Sequence, residues 1–228
     1  MKYIAHRGLS SQAPENTIAA FQLAANTPEF FGIECDIHQT KDNQFVVFHD
    51  DDLKRMAKVT HKIKDLTYEE LLKYPIKTGS KIKSHPNQTI PLLTDFLTIC
   101  EEYQKTAVIE IKQVHEMENL SDLLLILEHF PTVNVIFISF NLSYLKYMRA
   151  ISDISLKLLC DKVTDALIYD LRVNNINFSI QKDSFKPALI NKLKKKGFEI
   201  ATFTVNKKTT AKQLEKMGID YITTDKIL

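Results

Sequence analysis

A chain of 228 residues with 44% apolar and 25% charged side chains can bury a full core without disulfides or a structural metal. Lys and Arg total 30 against 28 Asp and Glu, a net charge of +2 with no dominant basic tract, so nothing points to a nucleic-acid partner. The 3 cysteines, Cys35, Cys100 and Cys160, are odd in number and widely spaced, which argues against a disulfide framework or a CxxC zinc site and fits a reducing compartment. Met1–Ala5 is too short and too quickly followed by charge to be a signal peptide. No stretch approaches the roughly 20 apolar residues of a membrane span, so a cytoplasmic protein with no stable membrane anchor is expected.

Tyr3–His6 reads as a short strand, followed by a loop with Pro14-Glu15-Asn16 and a helix over Thr17–Ala25 capped by Asn16 or Thr17. Phe31–Asp36 is the second strand. Its continuation turns at Asp42-Asn43 and returns through Phe45–Phe48 as a hairpin arm. Residues 50–90 show no clean strand–helix alternation beyond a short helix near Leu66–Leu72, and read as an insertion and not a second domain.

A regular pattern follows. Helices at Leu92–Tyr103, Leu120–Phe130, Leu142–Ile151, Thr164–Leu171, Pro187–Lys196 and Thr209–Met217 alternate with strands at Ala107–Lys112, Val133–Ser139, Ser155–Cys160, Asn175–Ile180, Phe198–Val205 and Tyr221–Thr223. Phe45–Phe48 cannot be a parallel core strand, because only about eight residues separate it from Asp36 and a crossover needs about a dozen. That leaves eight parallel strands, a closed α/β (β/α)8 TIM barrel forming one domain over residues 1–228. The competing open doubly wound sheet would carry a glycine fingerprint for a nucleotide, and the chain has only 5 glycines.

In such a barrel the chemistry sits at the C-terminal strand ends. His6 and Arg7 end the first strand, Glu34 and Asp36 the second, Glu110 and Lys112 the third, and the hairpin should return His49 to the level of Asp36. Residues two apart on a strand share a face, so each pair points inward together while Cys35, Ile109 and Ile111 point away. A single carboxylate pair is ordinarily a salt-bridged rim feature. Inward acids at neighbouring strand ends are not explained that way, since unpaired buried charge costs several kcal/mol. Three carboxylates gathered without a cation would repel one another, and an oxygen-only set suits Mg²⁺, Ca²⁺ or Mn²⁺ over zinc. Arg7 and Lys112 would then face an anionic phosphate, with His6 and His49 as proton donor and acceptor.

Elsewhere the structural reading prevails. Lys192, Lys194, Lys195 and Lys196 form a solvated helix face, and His61, His85, His115 and His129 are surface residues. His38 shares the Asp36 face and is a weaker candidate for touching substrate.

Ala5-His6-Arg7-Gly8, Pro14-Glu15-Asn16-Thr17, Glu34-Cys35-Asp36, Val46-Val47-Phe48-His49-Asp50 and Glu110-Ile111-Lys112 together resemble the glycerophosphodiester phosphodiesterases. The likeness continues in order through Leu66–Leu71, Ile90–Leu93, Ser139-Phe140, Phe203–Asn206 and Gly218–Asp225. The resemblance implies hydrolysis of a small-molecule glycerophosphodiester to sn-glycerol 3-phosphate and an alcohol. It further implies Mg²⁺ or Ca²⁺ held by Glu34, Asp36 and Glu110, acid–base work by His6 and His49, phosphate binding by Arg7 and Lys112, and an insertion enclosing the glycerol end. The family usually carries tryptophan where Phe203 stands, so a substrate-facing aromatic wall of altered shape is expected there. Two other readings stay open: a phospholipase-type enzyme acting on intact lipid, and a non-catalytic glycerol-phosphate-binding barrel. Whether the barrel is a monomer or a homodimer is not set by the sequence.

Overall fold

A computed structural model describes residues 1–228. In chain order the elements are β1 (Lys2–Ala5), α1 (Ile18–Ala25), β2 (Phe30–Gln39), β3 (Phe45–Val47), α2 (Lys54–Ala57), α3 (Tyr68–Leu71), α4 (Leu93–Glu102), β4 (Thr106–Gln113), α5 (Leu120–Leu127), β5 (Val135–Ser139), α6 (Leu142–Ile151), β6 (Ser155–Cys160), α7 (Asp165–Val173), β7 (Asn177–Gln181), α8 (Pro187–Lys195), β8 (Ile200–Phe203), α9 (Lys208–Lys216) and β9 (Tyr221–Thr224). Adjacent parallel strands pair in the order β1, β9, β8, β7, β6, β5, β4, β2, and β1 pairs β2 to close the barrel. Among the strands β3 pairs with the far end of β2 alone, antiparallel, with Ile37 opposite Val47 and Gln39 opposite Phe45, while on its other side the Val47 N–H donates to the Pro91 carbonyl. The hairpin expected from the short connection is therefore present, and the barrel has eight parallel strands.

Period-2 alternation sorts the side chains. Ile33, Cys35, Ile37, Ala107, Ile109, Ile111 and Phe137 face outward into the layer packed under the helices. Ile4, Val108, Ile136, Ile138, Leu159, Ala201 and Tyr221 fill the barrel bore. Lys157 is the exception: only 2% exposed in the bore, its Nζ lies 2.5 Å from Glu199 and 4.6 Å from the centre of the Tyr221 ring. Burial lowers its pKa against the raising pull of Glu199. A buried lysine of this kind persists only because it is paired.

Several strands start later than the sequence pattern suggests, because helix exits consume the first apolar residues. Asn175 is left-handed (φ 48°), and the Ile176 N–H closes onto the Leu171 carbonyl, so β7 begins at Asn177. Gly197 (φ 81°) does the same after α8: the Phe198 N–H donates to the Leu193 carbonyl, and β8 starts at Ile200. The Val133 N–H donates to the Phe130 carbonyl, leaving β5 to start at Val135. Thr17 caps α1 by accepting from the Ala20 N–H, and Thr67 forms a capping box with Glu70 on α3.

The segment after β3 builds a small core of its own from Val46, Phe48, Leu53, Met56, Ala57, Ile63, Leu71, Ile76 and Ile90. It lies against the β1–α1 loop, where the His85 ring reaches the Gln12 carbonyl at 3.1 Å, and against the first turn of α1, where the Ala19 N–H donates to Gln88 Oε1. His85 is thus half-buried in a contact, whereas His61 and His129 are exposed as expected.

That loop requires glycine at residue 8. Gly8 has φ +78°, and a Cβ there would come within 2.6 Å of the Ala20 carbonyl carbon. Gly8→Ala is expected to destabilise the protein by about 2 kcal/mol or more, because left-handed strain and a backbone clash add. Urea unfolding checks this through a lower midpoint at unchanged slope.

Candidate active site

β2 delivers Glu34 and Asp36 to the barrel mouth and β4 delivers Glu110 beside them, since Asp36 and Glu110 are direct cross-strand partners. One carboxylate oxygen from each lies within 4.8 Å of the others, and Glu34 and Asp36 are 2% and 1% exposed. Burial, then the charges of Asp36 and Glu110, pushes Glu34 well above the usual carboxylate range. Burial and Asp36 push Glu110 up to about 7. Burial would raise Asp36 too, but Arg7 and Lys112 outweigh it and hold Asp36 low. Asp36 Oδ1 is buried without a hydrogen-bond partner, the nearest cation being Lys112 Nζ at 3.6 Å. Three hard oxygen donors, one of them orphaned, and two carboxyls driven toward their neutral forms fit a divalent cation among them.

His6 and Arg7 lie just past β1, with Arg7 in the left-handed region at φ 56°. That conformation turns its backbone N–H toward Glu34 Oε2, at 2.8 Å. Its guanidinium reaches Glu15 through Nη1 at 2.8 Å and approaches Asp36 Oδ2 through Nε at 3.3 Å. Lys112 donates to Glu110 Oε1 at 2.9 Å. The two cations therefore bracket the acid cluster. Asn16, also left-handed and 3% exposed, donates Nδ2–H to Asp36 Oδ2 at 2.8 Å and fixes that carboxylate.

Each candidate histidine is backed by an aspartate. His6 Nδ1 lies 2.6 Å from Asp225 Oδ1, and Asp225 is held in turn by Asn206 Nδ2 and Ser10 Oγ. His49 Nδ1 lies 2.7 Å from Asp50 Oδ1. Such pairing places the proton on Nδ1 and leaves Nε2 for chemistry. Burial lowers the His49 pKa despite the opposing pull of Asp36. His38 Nε2 meets the His49 carbonyl at 3.2 Å, so His38 anchors the backbone of His49 and does not present its ring to a ligand. His115 plays a similar part nearby, its ring 2.8 Å from the Thr40 carbonyl.

Burial would raise Asp50, but the bonds from Arg55 and then His49 together outweigh it and lower Asp50 to about 2. A depressed carboxylate contributes stability that is present above its unfolded pKa of about 3.9 and is lost as pH falls toward about 2. Asp50→Asn should accordingly flatten the acid limb of the stability-versus-pH curve between those values. Urea titrations at stepped pH would show it, and an unchanged acid limb would contradict the ion pair.

Two open clefts flank the cluster. One of about 430 Å³ is lined by no hydrophobic residue and runs past His6, Arg7, Glu15, Ser80, Asn206 and Asp225. The other, about 470 Å³, runs past Glu110, Lys112, Ser139 and Phe140. Phe203 ends β8 and meets Phe140 edge-on at 6.0 Å between ring centres. The candidate site residues His6, Arg7, Glu34, Asp36, His49, Glu110, Lys112 and Phe203 all lie at this end of the barrel. Glu15, Asp50, Asn206 and Asp225 have no role in the sequence reading, and Asn16, a candidate helix cap there, instead holds Asp36 while Thr17 caps α1; each stands within or directly beside a motif already noted.

The model of the glycerophosphoryl diester phosphodiesterase family matches residues 6–228. Glycerophosphodiester phosphodiesterase of Caldanaerobacter subterraneus is 32% identical over 232 residues, spanning 97% of this chain and 93% of the relative. Human glycerophosphodiester phosphodiesterase 1 is 27% identical, spanning 96% and 76%. An Oleispira antarctica phosphodiesterase, solved in complex with the product sn-glycerol-3-phosphate, superposes with a TM-score of 0.92 at 27% identity and covers 99% of this chain and 93% of its own. With the barrel closed as described and the match running across nearly every residue, the chain belongs to the glycerophosphoryl diester phosphodiesterase family and is an enzyme of that class.

Proposed function

We propose that the protein hydrolyses glycerophosphodiesters to sn-glycerol 3-phosphate and an alcohol, with a divalent cation, Mg²⁺ or Ca²⁺, held by Glu34, Asp36 and Glu110. The observation that carries this reading is the orphaned, buried Asp36 oxygen inside three converging carboxylates, bracketed by Arg7 and Lys112. A bound cation would supply Lewis-acid polarisation of the phosphoryl group. Arg7 and Lys112 are positioned to neutralise the non-bridging phosphate oxygens, Arg7 by a directed fork and Lys112 as a point charge.

His6 and His49 then divide the proton transfers. One takes the proton from the attacking hydroxyl as its oxygen bonds to phosphorus, and the other gives a proton to the departing alkoxide as its P–O bond breaks. Where the glycerol 2-hydroxyl attacks first, the product is a cyclic phosphate. The same pair, with roles reversed, delivers water to open it. The two clefts give the arms of the diester separate space, with Phe140 and Phe203 supplying an apolar wall on one side.

No helix is long and apolar enough to cross a membrane. A water-soluble substrate is favoured over intact lipid because no hydrophobic residue lines the cleft beside His6 to receive acyl chains. The test is a matrix of Mg²⁺, Ca²⁺ and Mn²⁺ against several glycerophosphodiester headgroups, read as release of glycerol 3-phosphate. Silence in every cell from folded protein would remove the proposal. Turnover on phospholipid vesicles alone would favour the phospholipase reading.

A further inference from the structure

We propose that Arg55 is a positioning residue: one guanidinium, brought by the insertion, that holds Asp50 behind His49 and Glu15 behind Arg7. The proposal deepens the functional reading above and rests on it for the reaction, though not for the geometry. Arg55 lies on the short helix α2. Its Nε and Nη2 donate to the two oxygens of Asp50 at 2.7 and 3.1 Å. On its other edge, Nη1 and Nη2 donate to the two oxygens of Glu15 at 3.0 and 2.6 Å. Both contacts are bidentate, a geometry that a planar fork can make and an ammonium cannot.

Each carboxylate then reaches forward from a fixed position. Asp50 Oδ1 lies 2.7 Å from His49 Nδ1, and Glu15 Oε1 accepts from Arg7 Nη1 at 2.8 Å. The two histidines are thus supported differently. His6 leans on Asp225, which is fixed by Asn206 after β8 and by Ser10. His49 leans on Asp50, whose side chain is fixed by Arg55. Without Arg55, Asp50 and Glu15 would lose the cation between them and both supports would loosen together. The alternative is that Arg55, 45% exposed, is a surface ion pair that merely pins the insertion to the β1–α1 loop.

The experiment separates these. Arg55→Ala should lower kcat about 10- to 100-fold through misplacement of His49, and raise KM through Arg7. Arg55→Lys, which keeps a charge to hold the insertion, should recover thermal stability but not kcat. Tens of millimolar guanidinium should partly rescue Arg55→Ala and leave Asp50→Ala unmoved. Because Arg55 acts through Asp50, the double variant should lose no more kcat than Asp50→Ala alone. Nitrogen-15 NMR of the imidazoles gives a readout independent of turnover: the Nδ1–H tautomer of His49 should dominate in the wild type and lose that dominance in Arg55→Ala and Arg55→Lys. Normal kcat and an unchanged His49 tautomer in both variants would overturn the positioning role while leaving the phosphodiesterase reading standing. A wild type inactive in the whole metal-by-substrate matrix would overturn that reading, and the tautomer shift would still decide Arg55.

Discussion

Replacing His6 by alanine is expected to cost about 10²- to 10⁴-fold in kcat for glycerophosphodiester hydrolysis, the range set by loss of a positioned acid or base. His49→Ala should fall in the same range. His6 hydrogen-bonds to Asp225 and His49 to Asp50, so neither imidazole is bonded to a carboxylate proposed to hold the cation, and Asp36 acts on His49 only through space. Cation affinity measured by calorimetry should therefore survive in both variants. Asp225 keeps Asn206 and Ser10 as partners, so His6→Ala should also stay folded. A kcat within tenfold of wild type would remove His6 from the chemistry.

Glu34→Gln carries the second large effect, and its sign differs between activity and stability. The substitution is nearly isosteric, and its amide oxygen can still accept the Arg7 backbone N–H now bonded to Glu34 Oε2. What changes is charge. In a chelator-treated protein burial and the neighbouring acids disfavour the ionised forms of Glu34 and Glu110, so a neutral amide at residue 34 removes nothing the apo protein relies on. The variant should then be at least as heat-stable as wild type. With added Mg²⁺ or Ca²⁺ the wild type should gain thermal stability by mass action, and the variant should gain little. Activity should drop on the order of 10²- to 10³-fold, the equivalent of several kcal/mol of lost charge stabilisation. Equal cation-induced shifts in melting temperature for both proteins would show that Glu34 is not a ligand.

Much of this site could be read locally because a strand has period 2. Glu34 and Asp36, or Glu110 and Lys112, must share a face once the segment is a strand, and the hairpin length then sets the strand count at eight. The insertion was legible only as an interruption. Its small core draws on Val46 at one end and Ile90 at the other, a pairing that no local pattern announces. Strand starts at Asn177 and Ile200 were also missed, since the left-handed helix exits at Asn175 and Gly197 absorb residues that look strand-like by composition.

The alternation of strands and helices, the inward direction of the acids and the ordered motifs of the family resemblance are all legible in the residues alone. What holds those groups in place is visible only once the chain is folded. His6 depends on Asp225, 219 residues away, and Arg55 joins Glu15 across 40 residues. Such contacts arise from barrel closure between β1 and β9 and from the insertion folding over the β1–α1 loop. Periodicity fixes which way a side chain leaves its own element. It carries no information on which distant side chain meets it, because that depends on the summed geometry of every element between.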